Sequence, residues 1–357
     1  MKVVITGLTG NIGTAFLRRY GADPALDLTG IARRVPPRED HGKVRWVACD
    51  VGSPEAPRVL AEAFEGADAV VHLAWSIHPP AGEPPMARTN ETGTAQVLAA
   101  AADAGVGHVV CASSVAAYGK APRWTKVAED WPRTGIDTSA YSRGKALLER
   151  QLDEFADRHP AVKVTRIRPC AVVQHDAAGE FSDWLLSSLL PERLVGSRWL
   201  PLPLWPRLRA QAVHAEDVAD ALHTILFRKA EGAFNLASAQ VLDAGALADA
   251  IGGPRIPVPR TALRAAAWVT WRGGLQPVHP GWLTLADQAP LIDTTRARDE
   301  LGWRPRYDSA AAISALVAGM AERAGTASPP LAARPELGLA DRIGAVRPGQ
   351  PSHQSQA

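Results

Sequence analysis

Tyr141 and Lys145 stand four residues apart in the run Ser139-Ala-Tyr-Ser-Arg-Gly-Lys-Ala-Leu-Leu-Glu-Arg150. On a helix that spacing puts both side chains on one face. An ammonium beside a phenol favours the phenolate and lowers a pKa of about 10, so the pair could exchange a proton near neutral pH. Many surface helices carry this spacing by chance, and its meaning rests on what surrounds it. Two hydroxyls, Ser113 and Ser114, close a short apolar run at 108–112. That places them at the carboxyl edge of a sheet, where ligands bind in open α/β folds.

The glycines at the start of the chain supply the second half of a site. Residues 3–6 run directly into Gly7-Leu-Thr9-Gly10-Asn11-Ile12-Gly13 and then into a helical pattern. Strand, tight glycine turn and helix in that order bring backbone amides up to a pyrophosphate, which is how dinucleotides are held. The second strand ends near Ala32, where a carboxylate selecting NAD would be expected, and Arg33 and Arg34 follow. An alanine does not repel a 2′-phosphate and two guanidiniums can bind one, so NADP is the expected cofactor in preference to NAD.

These groups need a scaffold, and the pattern along the chain predicts one. Short β-branched runs at 3–6, 28–32, 44–48, 69–73, 108–112 and 162–167 alternate with helical candidates at 12–20, 54–64, 86–104 and 141–158. This is the rhythm of an α/β fold, a doubly wound parallel sheet of the Rossmann type. After Pro169 the rhythm breaks, and tryptophans at 184, 199, 205, 268, 271 and 282 appear among Pro, Leu and Arg. The reading is a dinucleotide-binding domain over 1–170 with returning segments near 211–237. A smaller, mixed C-terminal substrate lobe then covers 171–210 and 238–325. A disordered tail is expected over 326–357, where Pro, Ala, Gly, Ser and Gln dominate.

Composition narrows the partner. Among 357 residues, 39 basic and 37 acidic side chains nearly cancel. No one-sided field suggests a nucleic acid or anionic membrane as partner, and a small molecule is expected instead. Cys49, Cys111 and Cys170 lack metal-ligand spacing and read as reduced thiols, with no metal site, in the cytoplasm. The first residues read as a strand and not as a signal peptide. The segment 263–271 has a short apolar face flanked by Arg264 and Arg272, which would suit a membrane surface or a core; the core is the expected place.

Taken in order, further motifs make a resemblance. Asp50-Val51 follows the third strand, His72-Leu-Ala74 the fourth, and Asn90-x-x-Gly93-Thr94 lies on the next helix. Ser113-Ser-x-x-x-Tyr-Gly119, Tyr141-x-x-x-Lys145, Arg168-Pro169, Val213-His-x-x-Asp217-Val-Ala and Leu301-Gly-Trp303-x-Pro305 come after. With the glycine turn, this set resembles an extended short-chain dehydrogenase/reductase of the NAD-dependent epimerase/dehydratase family. The resemblance implies that Tyr141 is the general acid/base, that Lys145 binds the nicotinamide ribose and depresses the tyrosine, and that Ser114 bonds the substrate oxygen. It implies adenine contacts from Asp50 and Val51, contacts to the middle of the cofactor from Leu73 and Ala74 with Trp75 beside them, and carboxamide contacts from Pro169 and Val172. Asn90 and Ser113 would support the cofactor or its loop. Members often dimerise through the tyrosine-bearing helix, so a homodimer is a possible assembly.

Several positions depart from the family pattern. Val115-Ala116 stands where sugar-nucleotide dehydratases carry Asp-Glu, which argues against water elimination. Ala171 replaces the asparagine of nucleotide-sugar binders and Ala210 the diphosphate arginine, for which Arg207 or Arg209 could substitute. Two reactions stay open: reduction or oxidation of a ketone or secondary alcohol, and sugar epimerisation by transient oxidation. A non-catalytic cofactor sensor is a third reading, disfavoured by the presence of Ser114, Tyr141 and Lys145 together. A hydrolase triad of Ser114, His214 and Asp217 lacks a nucleophile elbow. There Asp217 is expected to cap a helix and His214 to pack near the lobe junction.

Overall fold

The computed structural model describes residues 1–37, 43–77, 85–185, 194–276 and 279–333, the side chains of 183–185 excepted. Seven strands form one parallel sheet: β1 Lys2–Thr6, β2 Asp27–Ala32, β3 Arg45–Ala48, β4 Ala69–His72, β5 His108–Ala112, β6 Lys163–Pro169 and β7 Gly232–Leu236. Their order across the sheet is β7-β6-β5-β4-β1-β2-β3. The direction of winding reverses between β1 and β4, the switch point at which such sheets bind ligands. In register, Thr6 lies opposite His72, His72 opposite Cys111, and Cys111 opposite Arg166. The loops that follow these strands therefore open along one edge.

Both faces of the sheet are covered, which is why its strands read as continuous apolar runs. Val3 and Ile5 face a core with Phe16, Leu222 and Ile225, whereas Val4 faces Leu60, Phe64, Leu152 and Phe155 on the other side. The helices are α1 Asn11–Tyr20, α2 Ala56–Phe64, α3 Gly93–Asp103, α4 Ala140–Arg158, α5 Ala178–Leu185 and α6 Ala215–Arg228. They continue with α7 Ala244–Ile251, α8 Arg260–Arg272, α9 Pro280–Gln288, α10 Thr295–Leu301 and α11 Ser309–Glu322. The expected single helix over 86–104 is instead a π-helical turn, Arg88–Thr92, leading into α3. Asn90 in that turn spends its side chain on the backbone of Ser76, donating to the carbonyl at 2.8 Å and accepting from the amide at 2.7 Å.

Two expectations are corrected. The segment 263–271 falls in α8, which contributes no buried residue; Trp268 is 56% exposed and Val269 60%. Its apolar residues lie on more than one face, and the fold covers only part of them. The packed chain also continues past Thr326. Leu331 is fully buried and Ser328 is 1% exposed, since a short 3-10 turn at Pro329–Leu331 packs beside α5. The Trp184 side chain and the tail beyond 333 lie outside the described residues.

Helix α4 carries Tyr141 and Lys145 and is tied down tightly. Ser139 caps its first turn by accepting from the Ser142 amide at 3.3 Å. Lys145, Leu148, Glu149, Leu152 and Phe155 recur every three or four residues and form its buried stripe. Glu149 takes a bidentate grip from Arg168 on β6, Nε to Oε1 at 2.8 Å and Nη2 to Oε2 at 2.9 Å, and both side chains are almost wholly buried. The remaining Arg168 nitrogen donates to Tyr118 Oη at 2.8 Å and to the Glu129 carbonyl at 2.7 Å. Removing one partner of such a pair leaves an uncompensated buried charge and typically costs about 3–5 kcal/mol. Glu149→Ala should therefore lower the denaturant midpoint sharply, and the double variant Glu149→Leu/Arg168→Met should recover much of the loss. Equal losses in the two variants would show that the ion pair is not what anchors α4.

Candidate active site

The glycine turn after β1 has no room for side chains. Gly7 has a φ of +72°, and a Cβ there would lie 2.6 Å from the Ala74 amide nitrogen; at Gly13 it would lie 2.3 Å from the Leu8 carbonyl oxygen. Only glycine tolerates the first conformation at no steric cost. Helix α1 begins with Gly10 at its cap and no side chain bonded to its first-turn amides. This start meets the requirement for a pyrophosphate: backbone donors at a positive helix end, reached closely because no Cβ intervenes. Thr9, Asn11 and Ile12 complete the turn. Asn11 Nδ2 donates to the Val172 carbonyl at 2.9 Å, and Gln174 Nε2 donates to Asn11 Oδ1 at 2.8 Å, so the turn is braced against the strand segment Ala171–Val173.

Along the same edge, Ala32 is buried at the end of β2 while Arg33 and Arg34 are exposed just beyond it. Asp50 follows β3; its carboxylate accepts from the Gly52 amide at 3.1 Å and pairs with Arg88 at 3.1 Å. Val51 is buried beside it. Leu73, Ala74 and Trp75 leave β4, and Asn90 holds the following residue in place. Pro169 ends β6.

Ser113 and Ser114 follow β5, both nearly buried. The Ser114 hydroxyl accepts from the Ala116 amide at 3.1 Å and lies close enough to the Tyr141 hydroxyl to influence its titration. Ser142 joins α4 to that turn by donating from its hydroxyl to the Ala116 carbonyl. Lys145 is 2% exposed, donates to the Ala112 carbonyl at 2.8 Å and places its Nζ 3.5 Å from the centre of the Trp75 ring. Nζ lies 5.9 Å from the Tyr141 ring centre. Ser114, Tyr141 and Lys145 thus meet at the carboxyl edge of the sheet.

The protonation balance differs from the sequence-based expectation. Burial raises Tyr141 above the usual phenol value, with the neighbouring Ser114 hydroxyl acting in the opposite sense. Burial also brings Lys145 down to about 7, opposed by Cys111 and Glu149. The Trp75 face, which attracts a cation, works against that fall as well. Desolvation therefore dominates both groups, and the expected depression of the tyrosine by the lysine is not the prevailing effect.

A cleft beside Tyr141 is lined by Ile77, Met86, Ser139, His279 and Trp282 among others. Trp282 tilts against Tyr141 with ring centres 5.2 Å apart. Trp282 was visible in the sequence only as one of many lobe tryptophans, and His279 and Met86 gave no signal there. Ser328 is a further unexpected neighbour, since its hydroxyl donates to the Thr9 carbonyl at 2.6 Å.

Other candidates are committed elsewhere. Arg209, a possible stand-in for the diphosphate arginine, is buried and donates to the carbonyls of Asp287 at 2.9 Å and Ala289 at 3.0 Å. His214, not Asp217, caps α6, accepting from the Glu216 amide at 3.3 Å and stacking on Tyr307. Asp217 instead accepts from the amides of Arg306 at 2.9 Å and Tyr307 at 3.2 Å. Neither group joins Ser114 in a triad.

A seven-stranded parallel sheet with a glycine turn at its switch point and a Ser, Tyr, Lys cluster on its edge defines an extended short-chain dehydrogenase/reductase. A family model described as NAD dependent epimerase/dehydratase matches residues 3–237, and the chain belongs to that family. The UDP-glucose 4-epimerase of Mycolicibacterium smegmatis is 27% identical over 339 residues, spanning 89% of this chain and 97% of that protein. An uncharacterised Mycobacterium tuberculosis protein is 23% identical over 324 residues, 87% of this chain and 82% of its own length. Among solved structures, the Thermus thermophilus UDP-glucose 4-epimerase in complex with NAD has a TM-score of 0.65 at 20% identity, covering 90% of this chain and 99% of that one. MoeE5 in complex with UDP-glucuronic acid and NAD gives 0.65 at 21%, with the same coverage.

The buried lysine makes stability depend on pH with a definite sign. Its folded pKa, about 7, lies below the unfolded value of about 10.4, so between these values the unfolded chain binds more protons. Stability contributed at this position should rise as pH climbs from about 7 towards 10. Lys145→Met removes the group, so the melting temperature of the wild type relative to the variant should increase over that range. A constant difference would mean that Lys145 keeps its ordinary pKa in the fold.

Proposed function

We propose that the protein is an NAD(P)-dependent oxidoreductase acting on a small-molecule ketone or secondary alcohol. The observation that carries this reading is the convergence of Ser114, Tyr141 and buried Lys145 at the sheet edge, with Tyr141 lining a cleft. When bound, the nicotinamide supplies or accepts the hydride. Ser114 orients the substrate oxygen, and Tyr141 gives that oxygen a proton in reduction or takes one in oxidation. Lys145 holds the nicotinamide ribose and favours the phenolate when charged. Asp50, Val51, Leu73, Ala74, Trp75, Asn90, Ser113, Pro169 and Val172 line the remaining dinucleotide path on the same edge, as residues 7–13 do at the pyrophosphate.

Ile77, Met86 and Trp282 on the cleft wall favour a partly apolar substrate. Ala171 and Ala210 offer no polar side chain to a nucleotide sugar, and the internal bonds of Arg209 leave it ill placed to replace a diphosphate ligand. The exposed pair Arg33 and Arg34 past Ala32 supports NADP over NAD. A second reading, sugar epimerisation by transient oxidation, draws its support from the likeness to UDP-glucose 4-epimerases. The two differ in cofactor handling: a reductase exchanges its dinucleotide and an epimerase retains it.

Nucleotide released from the purified protein should be little or mostly NADP; tightly held NAD would favour the epimerase. Once a substrate is found among carbonyl compounds and nucleotide sugars, Tyr141→Phe should lower kcat by roughly 10²- to 10⁴-fold while leaving dinucleotide affinity near that of the wild type. Undiminished turnover by that variant would remove Tyr141 from the mechanism. Arg33→Ala/Arg34→Ala should raise KM for NADPH by about tenfold or more, with little change for NADH, since it removes charge-assisted contacts to the 2′-phosphate alone. An equal change for both cofactors would refute the NADP assignment.

A further inference from the structure

Helix α8 has two apolar faces, and the fold uses one. On the inner face, Leu263 packs with Trp205, Leu208 and Ala244, and Trp271 meets His279 edge-on at a centroid distance of 4.9 Å. On the outer face, Trp268 and Val269 stand exposed with Ala262, Ala265 and Ala266 around them. Leu275, 44% exposed, follows just past the end of the helix. Large, substantially exposed apolar side chains grouped in this way are typical of a surface that meets a partner.

The charge around this face identifies the partner. Between Asp249 and Asp287 the chain has no Asp or Glu but four arginines, Arg255, Arg260, Arg264 and Arg272, although the whole chain has a formal net charge of only +2. Arg260 is paired with Asp287. Arg264 and Arg272 are exposed and form no ion pair among the described residues. Each lies four residues from Trp268, so a guanidinium flanks the exposed indole one turn to either side. An indole with aliphatic neighbours, bracketed by cations, suits the headgroup region of a bilayer: the ring sits at the apolar boundary and the guanidiniums reach lipid phosphates. A second copy of the chain fits less well, because this segment would meet its own arginines with no carboxylate to answer them.

We propose that α8 is a docking element for anionic membrane surfaces, seated through Trp268, Val269 and Leu275 and held by Arg264 and Arg272. It does not depend on the proposed reaction. It revises the expectation, drawn from whole-chain charge, that no membrane is a partner. Through Trp271 and His279, the docked helix is one side-chain contact from the cleft beside Tyr141.

The test is co-sedimentation of the full-length protein with vesicles of phosphatidylcholine alone or mixed with phosphatidylglycerol. Binding is expected to the mixed vesicles, little to the neutral ones, and less as salt increases. Arg264→Gln/Arg272→Gln should weaken it by roughly twentyfold or more, about fivefold for each charge removed. Trp268→Ser/Val269→Ser should weaken it as well, with melting temperatures unchanged because the replaced side chains are exposed. The proposal fails if mixed vesicles do not bind, or if both variants bind as the wild type does. It fails too if Trp268→Ser/Val269→Ser abolishes self-association in the absence of vesicle binding, which would give the face to a second copy.

Discussion

The bidentate contact between Glu149 and Arg168 is the constraint from which the rest of the site takes its geometry. Tyr141, Lys145 and Glu149 occupy successive turns of one helical stripe, so fixing the last of them fixes the rotation and height of the other two. Arg168 belongs to the strand that ends in Pro169, and in register it lies beside Asn235 of the next strand. Tyr118 links the two, accepting from Arg168 and donating to Asn235 Oδ1 at 2.7 Å. A displacement of α4 by a fraction of an ångström would leave one of these groups unsatisfied in a place water does not reach, and the penalty for that rigidifies the site. Burial raises Glu149, but the Arg168 contact and charge outweigh it and keep the carboxyl below its ordinary value.

The same desolvation acts on Tyr141 and Lys145. A lysine with its Nζ between an indole face and a carbonyl is poised between charged and neutral forms, and its tyrosine neighbour is held protonated by its surroundings. Trp75, in the loop after β4, covers the lysine and so supplies part of that desolvation. Asn90 secures that loop through two bonds to Ser76, which gives the departure from regular helix at Arg88–Thr92 a physical purpose. π-Helical turns are frequent where a side chain must be re-aimed in this way.

Much of the architecture was legible in the sequence because its causes are local. Val3, Val4 and Ile5 are apolar without alternation since both faces of the sheet are covered, and Gly7 and Gly13 are glycine since a Cβ would strike the backbone. The positions of Ser114, Tyr141 and Lys145 follow from strand end and helix spacing. Other features had no local cause to read. Helix α8 has apolar residues on opposite sides, and composition does not say which side the fold covers. Asp217 looked like a helix cap but accepts from amides about ninety residues away, while His214 takes the cap. Arg209 resembles a ligand-binding arginine until its partners, the carbonyls at the end of α9, are seen.

The bond from Ser328 to Thr9 spans 319 residues, nearly the length of the packed chain. During synthesis the glycine turn emerges first and its last contact emerges almost at the end. An intermediate with the sheet assembled but residue 328 still to be made would hold that turn without its brace. Closing so distant a contact is a late, entropically expensive event, and premature termination beyond α11 would leave a polypeptide with its sheet intact and the Thr9 carbonyl bare. The order in which the ribosome delivers this chain thus separates the making of the Rossmann sheet from the finishing of its first loop.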